Sequence, residues 1–185
     1  MSVMVTGGAG YIGSHAVKRL LEDGHRVVSV DNLYRGHREA MDALMPIAGG
    51  RLTFVPADVG DRDLMLRLMV EHRVKTVLHF AALAYVGESV QQPLRYYDHN
   101  VGGTLALCQA MADAGVWRLV FSSSATVYGE PATMPISEAT PTGQPTNPYG
   151  RSKLMVEQLL ADLAVSDARW RIGVLRYFNP VGAHA

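Results

Sequence analysis

The chain is 185 residues long, 48% hydrophobic and 18% charged, with 17 basic and 17 acidic residues and a formal net charge of zero. That is enough apolar material for one sizeable core, so a single domain over residues 1–185 is expected, and no basic field exists to recruit nucleic acid or an anionic membrane. Met1 leads at once into an apolar run too short for a bilayer, which predicts a cytoplasmic protein; lone Cys108 predicts a buried thiol, and the seven scattered histidines lack ligand spacing, so no metal is expected.

The first apolar run, Val3-Met4-Val5, reads as a strand, and the amphipathic stretch Ala16 to Leu21 as a helix. Between them lies Thr6-Gly-Gly-Ala-Gly-Tyr-Ile-Gly-Ser-His15, a glycine cluster at a strand-to-helix junction. The first N–H groups of a helix lack backbone partners and the helix dipole adds positive charge there. Gly7-x-x-Gly10-x-x-Gly13 therefore predicts a loop that takes a dinucleotide pyrophosphate against bare backbone. Ordinary turns use glycine as well, so the triplet gains its weight from its neighbours.

The foremost neighbour is Asp31, at the end of the apolar run Arg26 to Val30. A carboxylate at the tip of a second strand accepts hydrogen bonds from the ribose 2′- and 3′-hydroxyls and repels a 2′-phosphate, which favours NAD over NADP. Two alternatives stand beside it: a capping role for the segment that starts at Asn32, and a 2′-phosphate met by Arg35 or Arg38.

Strand and helix signals then alternate. Leu52 to Val55 is a predicted strand ending near Asp58, Asp61 to Val70 a helix, and Thr76 to Phe80 a strand. A long helical stretch runs from Pro93 to Ala114. Arg118 to Phe121 is a strand, Pro148 to Val165 a helix, and Ile172 to Tyr177 the last strand. This order predicts the α/β class: a doubly wound parallel sheet of the Rossmann type with helices on both faces. Gly129 to Pro148, rich in proline, predicts a loop of the kind that forms a lid or a substrate edge. Ligands of such sheets lie outside the carboxyl ends of the strands, where Gly7–Gly13, Asp31, Asp58, Phe80-Ala81-Ala82, Ser122-Ser123-Ser124 and Phe178-Asn179 follow in series.

Tyr149 and Lys153 stand four apart on a predicted helix, so both project from one face. A free tyrosine is a poor base at neutral pH. An ammonium group beside it, together with the positive nicotinamide of NAD, stabilises the phenolate, and Ser124 completes a Ser-Tyr-Lys set. A pair at this spacing is common on helix surfaces; the loop, the acid and the serine run around it favour the catalytic reading.

Seven motifs carry a resemblance: Thr6 to His15, Asp31-Asn-Leu33, Val86-Gly-Glu-Ser-Val90, Pro93-Leu-Arg-Tyr-Tyr97, Phe121-Ser-Ser-Ser-Ala-Thr-Val-Tyr-Gly129, Tyr149-Gly-Arg-Ser-Lys-Leu-Met-Val-Glu-Gln158 and Leu175-Arg-Tyr-Phe-Asn-Pro-Val-Gly-Ala-His184. Together they span nearly the whole chain, which resembles the amino-terminal part of the UDP-glucose (UDP-galactose) 4-epimerases, extended short-chain dehydrogenases/reductases. The resemblance implies inversion at C4 of a UDP-hexose through a transient 4-keto sugar, with hydride shuttled on bound NAD. Tyr149 would exchange the O4 proton, Ser124 would assist, and Lys153 would hold the nicotinamide ribose. Gly7, Gly10, Tyr11, Ile12, Gly13, Asp31 and Asn32 would hold the rest of the cofactor, with Asp58 and Val59 flanking adenine and Phe80, Ala81 and Ala82 lining the groove. His99, Ser122, Tyr177 and Phe178 would complete the cofactor contacts; Asn179, with Ser124 and Tyr149, would meet the sugar nucleotide. Sugar 4,6-dehydratases of the superfamily carry an Asp-Glu pair where this chain has Ala125-Thr126, which favours the epimerase.

Two departures stand out: Ala84 replaces a frequent lysine, and His99 replaces one of a usual asparagine pair. Family members continue well beyond the last motif, so a carboxyl-terminal substrate lobe is expected to be missing. The alternative is then an NAD-binding module without turnover. The family's dimers imply pairing through residues 93–114 and 149–163, and loss of cover over the last strand implies exposed Val174 and Phe178.

Overall fold

A computed structural model describes residues 1–183, so His184, the end of the last motif, lies outside the described residues. Six parallel strands form one sheet: β1 (Ser2–Thr6), β2 (Arg26–Asp31), β3 (Leu52–Pro56), β4 (Thr76–His79), β5 (Arg118–Ser124) and β6 (Arg171–Tyr177). Their order, β3-β2-β1-β4-β5-β6, reverses direction between β1 and β4. That switch opens a crevice at the carboxyl ends of those two strands, where neighbouring connections run to opposite sides.

Neighbouring residues of β1 point to opposite faces, and each face has its own core. Val3 and Val5 meet Val17 and Leu21 of α1 (Tyr11–Glu22) and Met41 and Leu44 of α2 (Arg38–Ala48). Met4 lies in the cluster of Met65 and Met69 from α3 (Arg62–Glu71). The doubly wound reading therefore holds. Cys108 is buried in this second core, and burial pushes its thiol up to about 12. No helix among the described residues is long and apolar enough to cross a membrane.

Several boundaries differ from the sequence reading. Helix α2 went unpredicted, because Pro46 lies inside it and removes one helical hydrogen bond; burial of Met41, Leu44 and Ala48 offsets that loss. The short α4 (Val86–Gln91) also went unpredicted. The predicted helix 93–114 is three pieces, α5 (Pro93–Tyr96), a widened π turn (Tyr97–Gly102) and α6 (Gly103–Asp113). Ser122, Ser123 and Ser124 are the last residues of β5 rather than a loop after it, and a 3-10 turn (Ala125–Tyr128) follows. Residues 129–147 carry no helix or strand, and α7 (Pro148–Ser166) follows, capped by the Asn147 side chain on the Gly150 N–H at 2.8 Å.

Candidate functional site

The glycine loop turns tightly between β1 and α1. Gly7 sits at φ +72°, and its N–H donates to the Val30 carbonyl at 2.7 Å, fastening the loop to β2. A Cβ on Gly7 would come within 2.5 Å of the Ala81 nitrogen, and one on Gly13 within 2.0 Å of the Gly7 carbonyl oxygen. Only glycine lets the three backbone segments close to this distance. No side chain caps the start of α1, so its first N–H groups face outward for an anion.

Asp31 ends β2 and is 8% exposed. One carboxylate oxygen accepts the Ala9 N–H at 3.0 Å and the other the Leu33 N–H at 2.9 Å, so this acid ties the glycine loop to the tip of β2. The capping alternative is thus part of its work. Each oxygen keeps further acceptor capacity, as a ribose diol requires. Next to it, the Asn32 amide donates to Asp58 at 2.8 Å, and Asp58 also accepts the Gly60 N–H at 2.8 Å. His99, on the π turn, brings Nδ1 to 3.7 Å from the same Asp58 oxygen. Burial works to raise Asp58, but Gly60, Asn32 and His99 together outweigh it and hold the carboxyl below its ordinary value.

These residues border a cavity of about 290 Å³ at the carboxyl ends of β1, β2 and β4. It is lined by Gly7, Gly10, Tyr11, Asp31, Asn32, Val59, Phe80, Ala81, Ala82 and His99 of the predicted set, by Arg35, weighed in the sequence reading only as a partner for a 2′-phosphate, and by Tyr34, Tyr85 and Glu88, which that reading did not assign. Ala84 also lines it. Asp58, Ile12 and Gly13 are not among the lining residues; Asp58 bonds to Asn32, which is, and Gly13 backs onto Gly7. Arg38 is not among the lining residues; it pairs with Asp42 at 3.7 Å.

The tyrosine–lysine pair lies on α7 beside β5. Lys153, 3% exposed, donates to the Ser122 carbonyl at 2.7 Å, and its Nζ stands 4.8 Å from the Phe121 ring centroid and 6.0 Å from that of Tyr149. Burial pushes Lys153 down to about 7, with Glu157 one turn later working the other way. Tyr149 corrects the sequence expectation for the protein by itself. Burial pushes its hydroxyl up, and the opposing influence is a hydrogen bond with Ser124 rather than the Lys153 charge. Ser124 also accepts from the Thr126 N–H and hydroxyl at 3.2 and 3.0 Å, which orients its Oγ.

Two polar networks that sequence reasoning missed hold this pair. Glu157 accepts from Ser123 at 2.5 Å and forms a two-point ion pair with Arg176 of β6 at 3.0 and 2.7 Å, and Arg176 donates to the Tyr128 hydroxyl at 2.9 Å. Asn100 bonds the Leu83 N–H and carbonyl at 2.8 and 3.0 Å and reaches Ser152, whose hydroxyl donates to the Tyr149 carbonyl. The i, i+4 spacing of Lys153 and Glu157 is the one signal in the sequence that points to the first network. Beneath both networks lies His79. Thr104 gives its hydroxyl proton to the Asn100 carbonyl at 2.6 Å, so it accepts from His79 Nε2–H at 2.9 Å, and Nδ1 takes the Thr6 hydroxyl at 2.6 Å. The ring is therefore neutral, and burial, with the Lys153 and His99 charges, pushes it down to about 3.

Residues 3–185 match the model of the NAD dependent epimerase/dehydratase family. The chain belongs to that family. It is 52% identical to the UDP-glucose 4-epimerase of Bacillus subtilis over 100% of its own length and 54% of the relative's. It is 50% identical to the enzyme of Neisseria meningitidis over 99% and 54%. The crystal structure of the UDP-glucose 4-epimerase from Stenotrophomonas maltophila, with bound NAD and formylated UDP-arabinopyranose, superposes with TM-score 0.95 at 55% identity, covering all of this chain and 55% of that one. The Bifidobacterium longum enzyme with NAD+ and UDP gives 0.96 at 49% identity, again over 100% and 55%. The chain thus spans about half the length of the relatives it matches.

Three features fit a dinucleotide. The glycine loop leaves no room for a Cβ, its helix start is uncapped, and a buried acid stands at the tip of β2. The remaining predicted residues lie away from the cavity. Tyr177 and Phe178 border a second, more open hollow with Tyr128, Ile136, Val174 and Leu175, and Asn179 is exposed. Val174, Leu175 and Phe178 are 38%, 47% and 58% exposed, so β6 carries an open apolar flank, as expected.

Proposed function

We propose that this chain is the NAD-binding and proton-transfer half of a UDP-hexose 4-epimerase that interconverts UDP-glucose and UDP-galactose. The observation that carries the reading is the Tyr149–Ser124–Lys153 cluster at the carboxyl end of β5 and the glycine-loop cavity bordered by Asp31 at the carboxyl ends of β1, β2 and β4, on one parallel sheet of a chain about 50% identical to UDP-glucose 4-epimerases.

Gly7, Gly10, Tyr11, Ile12 and Gly13 hold the pyrophosphate; Asp31 and Asn32 take the ribose; Asp58, Val59 and His99 border adenine; and Phe80, Ala81 and Ala82 line the groove. When bound, NAD supplies a reversible hydride acceptor at sugar C4. Every other role belongs to the protein. The Tyr149 hydroxyl exchanges the proton of the sugar O4, and Ser124, hydrogen-bonded to it, relays or steadies that proton. Lys153, with a value near neutrality, gains charge when a polar partner such as a ribose replaces its apolar surroundings, and that charge favours the Tyr149 phenolate. Ser122 anchors Lys153 through its carbonyl, Tyr177 and Phe178 border the nicotinamide end, and Asn179 meets the nucleotide-sugar phosphate. Leu94, Leu105 and Met155, exposed on α5, α6 and α7, support pairing of two copies through these helices.

The test is a titration of the purified 185-residue protein with NAD and NADP, followed by an assay for UDP-galactose turnover. NAD bound in preference to NADP, with turnover that Tyr149→Phe abolishes, is the expected result. Binding without turnover favours the second reading, an NAD-binding module, which draws its support from the half-length coverage of the relatives.

A further inference from the structure

The wall of the cavity beside Asp31 carries a charge cluster that the proposed mechanism does not use. Glu88, on α4, has one carboxylate oxygen 3.1 Å from Arg35 Nη2 and 3.3 Å from the Tyr34 hydroxyl, and the other 2.8 Å from the Tyr96 hydroxyl. The Arg35 guanidinium lies 4.5 Å from the Tyr85 ring centroid and 4.8 Å from that of Tyr34. Arg95 stands over Tyr34 at 4.2 Å and 4.0 Å from the same Glu88 oxygen. The Tyr96 hydrogen bond is the foremost of the influences that hold the Glu88 carboxyl below its ordinary value, so it is charged at neutral pH.

Arg35 is the single lysine or arginine among the residues that line the cavity. Its neighbour Gly36 backs directly onto Asp31, so close that a Cβ there would stand 2.7 Å from the carboxylate. The Arg35 side chain is 48% exposed and long enough to swing. A dinucleotide whose ribose meets Asp31 therefore brings its 2′ position within the neighbourhood of this guanidinium. A 2′-phosphate is a dianion and arginine its preferred partner, in a two-point contact. In the structure the guanidinium is already committed to a carboxylate and to two aromatic rings.

We propose that Glu88 is a second determinant of NAD over NADP: it holds Arg35 in the Tyr34–Tyr85 stack and so denies a 2′-phosphate the arginine that lines the cavity, while Asp31 repels that phosphate directly. The inference rests on the dinucleotide reading of the cavity. Selectivity then has two independent parts, one repulsive and one that withholds attraction.

The experiment compares the dissociation constants of NAD and NADP for the purified chain and its variants. Glu88→Gln keeps the shape and one acceptor for a tyrosine hydroxyl but removes the charge, and it should tighten NADP by about 3- to 10-fold while moving NAD by less than about 2-fold. Adding Arg35→Ala to Glu88→Gln should erase that gain. Arg35→Ala alone should leave NADP within about 2-fold of the unmodified protein, because the committed guanidinium contributes nothing to it. An unchanged NADP-to-NAD ratio in Glu88→Gln, a gain that survives Arg35→Ala, or a selective loss of NADP binding in Arg35→Ala alone each overturns the proposal. The last holds even if Glu88→Gln folds poorly. Failure of the unmodified protein to bind NAD at all overturns the cavity reading itself, a result distinct from a flat ratio.

Discussion

The two ends of the sheet are built differently. On the β1–β2 side, polar groups mostly meet backbone: Asp31 accepts from the Ala9 and Leu33 N–H groups, Gly7 donates to the Val30 carbonyl, and Asp58 accepts the Gly60 N–H besides the Asn32 amide. On the β5–β6 side, the Tyr149–Lys153 pair is held by the Ser122 carbonyl and by networks in which side chains meet one another, Glu157 with Ser123 and Arg176 among them. The outermost strand leaves Val174, Leu175 and Phe178 open. Backbone packed against backbone at Gly7 and Gly13, with side chains tied to that backbone, makes this side a mould that tolerates no added Cβ at those glycines. The side-chain networks leave the other side adjustable, with Lys153 held at about 7 and the Tyr149 hydroxyl pushed up by burial.

The sharpest way to break this comparison is Gly13→Ala. Its Cβ meets a carbonyl oxygen at 2.0 Å with backbone on both sides, so a stability loss of about 3 kcal/mol or more is expected, with NAD affinity falling at least about 10-fold. A denaturant midpoint and an NAD titration check both; a native-like midpoint would mean that the mould yields.

Between the two sides stands His79, and its titration is the next largest effect. Its value in the folded chain, about 3, lies below the ordinary 6.5, so below pH 6.5 the unfolded chain takes a proton that the folded one refuses. Stability should therefore fall as pH drops from about 6.5 toward 3, by about 3 kcal/mol at pH 4. Urea midpoints across that range should show a shallower fall in His79→Gln, whose amide does not titrate.

Glu157→Gln probes the adjustable side. Removing the charge leaves the Arg176 guanidinium without its counter-ion and should cost about 1–2 kcal/mol in urea unfolding, less than Gly13→Ala. The same change removes what holds Lys153 up, so the pH at which NAD binding changes should move lower. A midpoint shift without that change in pH dependence would separate Glu157 from Lys153. Smallest of all, Leu175→Lys on the open flank should alter stability by less than about 0.5 kcal/mol while reducing binding of a hydrophobic dye. Undiminished dye binding would place the exposed apolar surface elsewhere.

The mould was the more legible part of the sequence. Glycine spacing and the position of Asp31 are local signals, and the alternation of strand and helix signals set the parallel sheet. The adjustable side depends on contacts between distant segments. Glu157 meets Arg176 and Ser123 only because β5 and β6 are neighbours, and Asn100 meets Leu83 and Ser152 only across three elements. Helix α2 escaped because Pro46 breaks the local pattern while tertiary burial keeps the helix. Tyr149 was expected to feel Lys153 first, but the lysine is itself buried and spends its hydrogen bond on Ser122.

The π turn between α5 and α6 has a mechanical role. Just before it, Tyr96 must reach Glu88; within it, Asn100 must grip Leu83 and Ser152; just after it, Thr104 must receive His79. A regular helix advances each side chain by a fixed angle, which lets it keep step with some anchors and not with others. Widening one turn absorbs the phase error, like a leap day in a calendar, and lets one rod serve three unrelated appointments. Residues 97–102 are thus counted rather than merely chosen. A one-residue deletion there would leave every anchoring side chain outside it intact and still put the rod out of time with either the cavity wall or the floor beneath the Tyr149–Lys153 pair.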